Sequence, residues 1–563
     1  MVATFDYDLD QFLQRLRGWW SAQSLSGSVD GAIVNRIPDL TSHGQDMISA
    51  SASTAPTLKL TGLNGYPTVN FATSKRLIAT AMANGGIFQS AAIAQPFTMI
   101  AVAKARNADA GTARVILSST SASQCSLLIN STDLLQIAAG SNGASGGPVL
   151  SDDAFHIVMG VFDTGSAAIF VDGYCAGAAA GQSHGTNTIA QFSMGSVASG
   201  ASYFNGEIAE VMLLEGRPRL QEIKMVNDYL SAKWGLGLTI PSQSSATPIV
   251  STDANGVACR TWLPTTITSN TPVCIVSHQA GGDSNIGLGY SMYPYIRELT
   301  NAGFCVIASD NGGTNTWANA AAQTSLMAAY NLAASQLVAL GGGAGSVMLL
   351  GFSMGGGNSM IGVALGGFAA GKIKAVAVVD GVMDLSTLYS NATYTSTINT
   401  AHNITASTLT ASTAIGDTSI PTTASFQTIG TQLMVGNGTA NVEVVTTTAA
   451  STGTSVAVTP LTKTHASADQ VSDYPAKTAG RSPVSRSAND YSGVSYYRFY
   501  ASSADTDVPK TSNADAISAL LATASPAPAE HIVVSHPGGH LQGGARAKDM
   551  VAFAARAGFP ITS

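Results

Sequence analysis

The rhythm of apolar and polar positions changes near residue 250. Before it, short β-rich runs occupy 97–103, 127–130, 156–162 and 167–171, several of them separated by clusters of Gly, Asn or Asp, as strands joined by tight turns are. Asp172-Gly173, set between apolar flanks, predicts a hairpin turn. Two segments carry a three-to-four spacing instead. Phe12, Leu13, Leu16 and Trp19 recur within 6–20 with Arg15 and Arg17 opposite, and Ile223, Val226, Leu230 and Trp234 recur within 219–234, so each predicts a helix. Pro241 to Pro248, rich in Ser with Ala and Thr, reads as a linker.

From residue 251 strands alternate with helices. Strands are expected at 258–263, 273–278, 304–309, 347–350, 375–379, 496–500 and 532–534, and helices at 320–340, 354–368 and 515–523. That order predicts a mostly parallel sheet with helices on both faces. Residues 405–474 interrupt it: Thr, Ser, Ala, Gly and Val dominate, and 405–468 hold only Asp417, Glu443 and Lys463 as charged residues. Alternating pieces such as 454–459 predict an inserted β module, since a structureless loop of this length is unusual in a compact domain. The expected organisation is therefore 1–240 as a β domain opened by a helix, 241–250 as a linker, 251–404 with 475–563 as an α/β domain, and 405–474 as its insert.

Composition narrows the function classes. A chain of 563 residues exceeds what one core usually serves. With 45% hydrophobic and only 10% charged residues it is not a disordered solvating chain. The formal charge of 26 − 33 = −7, without a basic run, argues against a nucleic-acid partner. No apolar stretch approaches the roughly 18–20 residues of a membrane span. The start, Met1 to Asp8, is acidic and lacks the apolar core of a secretory signal, so synthesis in the cytoplasm is expected. Five cysteines are widely spaced; Cys274 and Cys305 sit inside apolar runs and read as buried free thiols, in keeping with folding in a reducing compartment.

Gly-x-Ser-x-Gly occurs three times, at 143–147, 181–185 and 351–355, which is weak evidence in a chain with 58 glycines. The motif needs a strand before it and a helix after it, because the serine occupies a strained strand-to-helix elbow. The first match reads as a flexible loop and the second follows an Ala/Gly stretch. Only the third, behind Val347-Met348-Leu349-Leu350, has the context, which makes Ser353 the candidate nucleophile. A base and an orienting acid should follow in the order Ser, Asp/Glu, His. Asp505 is the first choice of acid and Asp507 the second, both directly after a strand. His540, behind two glycines, is preferred to His536 as base. An oxyanion hole needs two backbone N–H donors. Met354, next to the nucleophile, supplies one, and Ala280 or Gln279, in the loop after 273–278, the other. Tyr290, Trp317 and Tyr389 are candidates to line a cleft, with packing as the alternative. No metal-ligand or phosphate-loop pattern is present, so no metal or cofactor is expected.

Gly351-Phe352-Ser353-Met354-Gly355-Gly356, Asp505-Thr506-Asp507-Val508-Pro509 and Gly539-His540 together resemble the α/β-hydrolase superfamily over 251–404 and 475–563. Within it the chain looks most like the secreted esterase branch, whose oxyanion loop usually reads His-Gly-x-Gly-Gly; here it is His278-Gln279-Ala280-Gly281-Gly282, with Gln279 in place of the first glycine. The runs at 97–102, 156–161 and 168–173, and the segment from Phe204 to Leu236, resemble a concanavalin-like, laminin-G-type jelly roll. The insert around 414–466 is similar to small β modules of bacteriophage tail and fibre proteins.

These resemblances imply a multidomain protein: an N-terminal β-sandwich jelly roll joined to an α/β-hydrolase with an inserted β module. The implied activity is a serine esterase with a Ser353-Asp505-His540 triad. Its implied partner is an ester-bearing glycan or lipid of a bacterial surface, presented by a lectin-like module, with other tail proteins as neighbours. Such a protein would sit in a virion tail or outside the cell, where a symmetric oligomer is the usual form. The rival expectations are a non-catalytic receptor-binding or structural tail protein, and an amidase or peptidase on the same triad.

Overall fold

The computed structural model describes residues 12–25, 28–72, 74–79, 92–119, 125–140, 143–146, 148–164, 166–180, 185–197, 202–238, 248–288, 292–426, 428–451, 454–536, 540–541 and 546–561. The chain forms two compact units, the first of residues 1–242, 290–294 and 537–547 and the second of 243–289, 295–536 and 548–563.

The first unit is built on two eight-stranded sheets whose strands pair antiparallel. In one, Phe97–Ala105 runs between Phe155–Phe162 and Gly206–Glu215. The sheets interlock face to face: a Cβ added at Gly160 would lie 2.5 Å from Ile137 Cγ2 and 3.0 Å from Leu127 Cδ1 of the other sheet. The helix Leu220–Trp234 adds Ile223, Val226, Leu230 and Trp234 to the same core, and Trp234 Nε1 donates to Glu210 Oε2 at 2.6 Å. Covered on both faces, Phe97–Ala105 is buried at nearly every position instead of alternating. At the expected hairpin, Val171 pairs with Tyr174 across Asp172 (φ 52°) and Gly173 (φ 79°), the two left-handed residues that a tight two-residue turn demands.

Three expectations fail here. The helix over 6–20 is confined among the described residues to 12–14, and Leu16–Ser21 is a strand on Gly206–Glu215. Alternation buries Leu16, Gly18 and Trp20 on one face, so apolar residues recur at an interval of four that a helix would share. Gly143–Gly146, expected as a loop, is an edge strand paired with Leu135–Ala139. The linker over 241–250 ends early, because Ile249–Thr252 is already a strand; residues 241–247 lie outside the described ones.

The main sheet of the second unit has eight strands: β1 (Ile249–Thr252), β2 (Ala258–Trp262), β3 (Thr271–Ser277), β4 (Cys305–Ser309), β5 (Ala344–Phe352), β6 (Ile373–Val379), β7 (Tyr496–Ser502) and β8 (Glu530–His536). Their order is β1-β2-β4-β3-β5-β6-β7-β8, antiparallel at β1/β2 and β2/β4 and parallel across the rest. The described α-helices longer than four residues in this half of the chain are α1 (Tyr293–Asn301), α2 (Ala320–Ala339), α3 (Met354–Ala364), α4 (Leu385–Tyr389), α5 (Ala392–His402), α6 (Ala516–Leu521) and α7 (Ala547–Arg556).

Period-two alternation along the strands shows both faces covered. Val347, Leu349, Tyr497 and Phe499 share a core with α2, α3 and α6. The intervening Phe352 stacks edge-on against Tyr295 of α1, while Arg498 and Tyr500 bond Asp549 of α7. Between α5 and β7, residues 406–472 form a four-stranded antiparallel sheet and a separate two-stranded pair over their own apolar cluster, which includes Leu433, Val435, Val456 and Val471. Among the described residues no helix is long and apolar enough to cross a membrane.

Candidate active site

In a parallel sheet, strand ends on one side converge and loops there can bring distant residues together. Ser353 occupies such an end. It links β5 directly to α3 at φ 50° and ψ −116°, a conformation that costs a non-glycine residue on the order of 1–3 kcal/mol. The surroundings hold it there: Ser353 N–H donates to Val379 O at 3.0 Å, and its carbonyl accepts the N–H groups of Gly356 and Val382, each at 2.9 Å. The flanking glycines are steric necessities. A Cβ at Gly351 would sit 2.3 Å from Gly355 O, and one at Gly355 would sit 2.1 Å from Ser277 O. The turn therefore presses the start of α3 against the end of β3, with Ser353 only 6% exposed.

Met354 is the first residue of α3, where N–H groups have no intrahelical acceptor and the helix dipole is positive. The facing loop follows β3. Gly281 N–H donates to Thr314 O (2.8 Å) and Asn315 Oδ1 (3.1 Å), and Gly282 N–H donates to Gln279 O (3.0 Å). Among the described residues neither the Gln279 nor the Ala280 N–H donates to a backbone acceptor. Ala280 packs against an apolar cluster that includes Met354 and Trp317. His278 is buried and tied through Nδ1 to Gln279 O at 2.7 Å, which fixes the loop at its root.

Asp505 lies in the turn after β7 and is buried. Its Oδ1 accepts the N–H groups of Asp507 and Val508, both at 2.9 Å, so Asp507 shapes the turn through its backbone while its own side chain is half-buried. His540 follows β8. Its segment, 537–547, groups with the first unit, whereas Ser353 and Asp505 belong to the second. His536, at the end of β8, turns Nε2 to 3.2 Å from Asp380 Oδ1, within ion-pair range but not aligned as a hydrogen bond.

Two residues here escaped the sequence reading. Asp380 follows β6 at φ 45° and is 2% exposed. Its only sequence signal is an Asp-Gly pair behind an apolar strand, which ordinarily means a turn. Tyr394 of α5 stands by the acid turn, its phenol raised by burial and by the carboxylates of Asp507 and Asp505. The aromatics expected in the cleft behave otherwise. Trp317 is buried with Nε1 on Thr397 Oγ1 (3.2 Å), and Tyr389 is buried, stacked on Tyr474 with its hydroxyl on Asn399 Oδ1 (2.9 Å); both are packing. Tyr290 and residues 181–184 of the second Gly-x-Ser-x-Gly match lie outside the described residues.

Residues 83–224 match the concanavalin A-like lectin/glucanase superfamily. No curated protein matches the chain. Among solved structures it is similar to the esterase Est1E of Butyrivibrio proteoclasticus (13% identity, 55% of this chain, 99% of that one, TM-score 0.31). It is also similar to the esterase domain of a Rhodothermus marinus protein (14%, 55% and 98%, TM-score 0.31). A bifunctional GH43-CE protein of Bacteroides eggerthii aligns over 95% of this chain and 74% of its own (12%, TM-score 0.32). At such scores these likenesses bear on neither activity nor substrate.

Proposed function

We propose that this chain is a serine esterase of the α/β-hydrolase type, with Ser353 as nucleophile, His540 as base and Asp505 as the acid that orients it. The observation that carries this is Ser353 held at positive φ on the turn between β5 and α3, in the same unit as Asp505, which is buried in the turn after β7. The strand order and the mostly parallel sheet support the fold assignment. In the reaction His540 takes the Ser353 Oγ proton as Oγ bonds to the ester carbonyl carbon. Met354 N–H and that of Ala280 or Gln279 receive the negative charge on the carbonyl oxygen. The C–O bond to the alcohol breaks, and the alcohol leaves with the proton from His540. Water, deprotonated by His540, then releases the acid and restores Ser353.

The substrate class we infer is an acyl or acetyl ester on a bacterial surface glycan or envelope lipid. The lectin-like match of residues 83–224 supports a glycan-directed first unit of jelly-roll type. Placement in a virion tail rests on the sequence likeness of 414–466 to tail and fibre modules. The test is hydrolysis of p-nitrophenyl esters from acetate to decanoate by wild type and Ser353→Ala. Loss of at least about 10³-fold in kcat is expected in the variant, and the chain-length optimum separates acetyl from lipid esters. Activity that survives Ser353→Ala would remove Ser353 as nucleophile.

A further inference from the structure

We propose that Trp317 sets the acyl specificity of the site: its packed indole fills the space that a long acyl chain would need, which restricts the reaction to acetyl and other short esters. The proposal rests on the esterase reading above and decides between the short and long acyl esters it leaves open. Trp317 lies between β4 and α2 at φ 47°, and Ala318 follows at φ 60°. Successive left-handed residues that carry a Cβ are strained and persist only where their surroundings over-determine them. Four hydrogen bonds do so here. Ala318 N–H donates to Asn358 Oδ1 of α3 at 2.7 Å, and Ala318 O accepts from Arg481 Nη1 at 3.1 Å. Trp317 is held from α5, its carbonyl accepting from His402 Nε2 at 2.9 Å and its Nε1 donating to Thr397 Oγ1 at 3.2 Å.

Strain and tethers together fix the ring near the elbow and the oxyanion loop. Trp317 shares an apolar cluster with Met354, Val382 and Val508, all at most 5% exposed, and Ala280 and Tyr394 pack against that cluster. Tyr394 meets the indole edge-on, with ring centres 5.6 Å apart. The loop that carries Trp317 also anchors the oxyanion loop, where Thr314 O and Asn315 Oδ1 accept from Gly281 N–H. An ester carbonyl held by Met354 N–H and its partner donor lies against this cluster. An acetyl group ends there, whereas an octanoyl chain must displace close-packed side chains, a cost that grows with each methylene.

Trp317→Gly is the discriminating change, because glycine takes φ 47° without strain while the ring is removed. Trp317→Phe keeps a smaller ring in the cluster and serves as the graded variant. Full-length wild type, W317G and W317F are compared on p-nitrophenyl acetate, butyrate and octanoate, with Ser353→Ala as the blank. Wild type should show kcat/KM at least about 10²-fold higher on acetate than on octanoate. W317G should narrow that ratio by at least about 10-fold and W317F by about threefold. A wild type that prefers octanoate, a ratio unchanged in either variant, or an equal loss on all three esters overturns the proposal. The last of these is what a merely structural role for Trp317 would give.

A readout independent of turnover is thermal unfolding with and without sodium octanoate, each protein compared with itself. Octanoate should raise the Tm of W317G by about 2 °C and leave that of wild type unmoved, since only the variant has room for the chain. An equal response of the two proteins overturns the proposal whether or not any ester is cleaved. A response confined to W317G, without hydrolysis by either protein, would instead count against the esterase reading and leave the filled space standing.

Discussion

At Gly355 the space for one methyl group decides whether the turn can form. Its Cβ would fall 2.1 Å from Ser277 O and 2.7 Å from His278 O, both backbone atoms that cannot swing aside. Gly355→Ala must therefore push α3 off the end of β3, moving Ser353 and the Met354 N–H with it. We expect a loss of about 3 kcal/mol in urea unfolding and at least about 10²-fold in kcat, since a displacement near 1 Å is that costly at a reacting centre. Gly493, exposed and with open space where its Cβ would go, is the control: Gly493→Ala should stay within about 0.5 kcal/mol of wild type. A Gly355→Ala variant as stable and active as this control would mean that the elbow is looser than its contacts imply. The sequence motif made the turn at Ser353 legible because its glycines and serine fall within five residues, although the carbonyl that excludes a side chain at Gly355 belongs to β3. Asp380 was not legible, because its neighbours Ser502 and His536 are more than a hundred residues away and meet it only through strand order.

The elements themselves were readable where one physical demand dominated. Apolar runs bounded by turn residues became strands, and Asp172-Gly173 became the two-residue hairpin. The N-terminal segment misled because Phe12, Leu13, Leu16 and Trp19 recur at a helical spacing, whereas pairing with Gly206–Glu215 makes 16–21 a strand that buries Leu16 and Trp20 and leaves Trp19 half-buried. The insert was legible as β structure but not in what fastens it. His465 is fully buried with Nε2 on Glu443 Oε1 at 2.8 Å, and the same carboxylate accepts from Thr462 N–H (2.8 Å), Thr462 Oγ1 (2.7 Å) and Lys463 N–H (3.0 Å). Burial pushes the Glu443 carboxyl up, but these donors outweigh it and hold it below the ordinary glutamate value. A depressed carboxyl contributes stability above its unfolded value near 4.3 and loses it as pH falls through the lower folded value. Glu443→Gln should cost the insert about 2–3 kcal/mol at neutral pH, read as faster amide exchange across 432–446. The difference from wild type should shrink below about pH 4; a difference independent of pH would show that the charge is not what fastens the insert.

At the scale of the whole molecule, the four cysteines whose side chains are described behave as core residues. Cys125, Cys259, Cys274 and Cys305 are free and buried. Burial raises Cys125 and Cys305 to about 12 and Cys259 to about 11, and pushes Cys274 up as well. Cys274 and Cys305 lie on adjacent strands, yet Cys305 is in register with Val273, so alternation sends the two thiols to opposite faces of the sheet. They cannot be bridged without a one-residue slip of β3 against β4, which would turn an entire strand's apolar set to the wrong face. Unpaired thiols in this chain therefore reflect packing, and oxidising surroundings would not join this pair. With thiolate formation suppressed and access closed, native protein at pH 8 should present at most one of its five thiols to a disulfide reagent, Cys175 being the fifth, and all five after denaturation in guanidinium chloride. If two or more react before unfolding, then the central strands of at least one core open on the timescale of the reagent, and burial alone does not protect them.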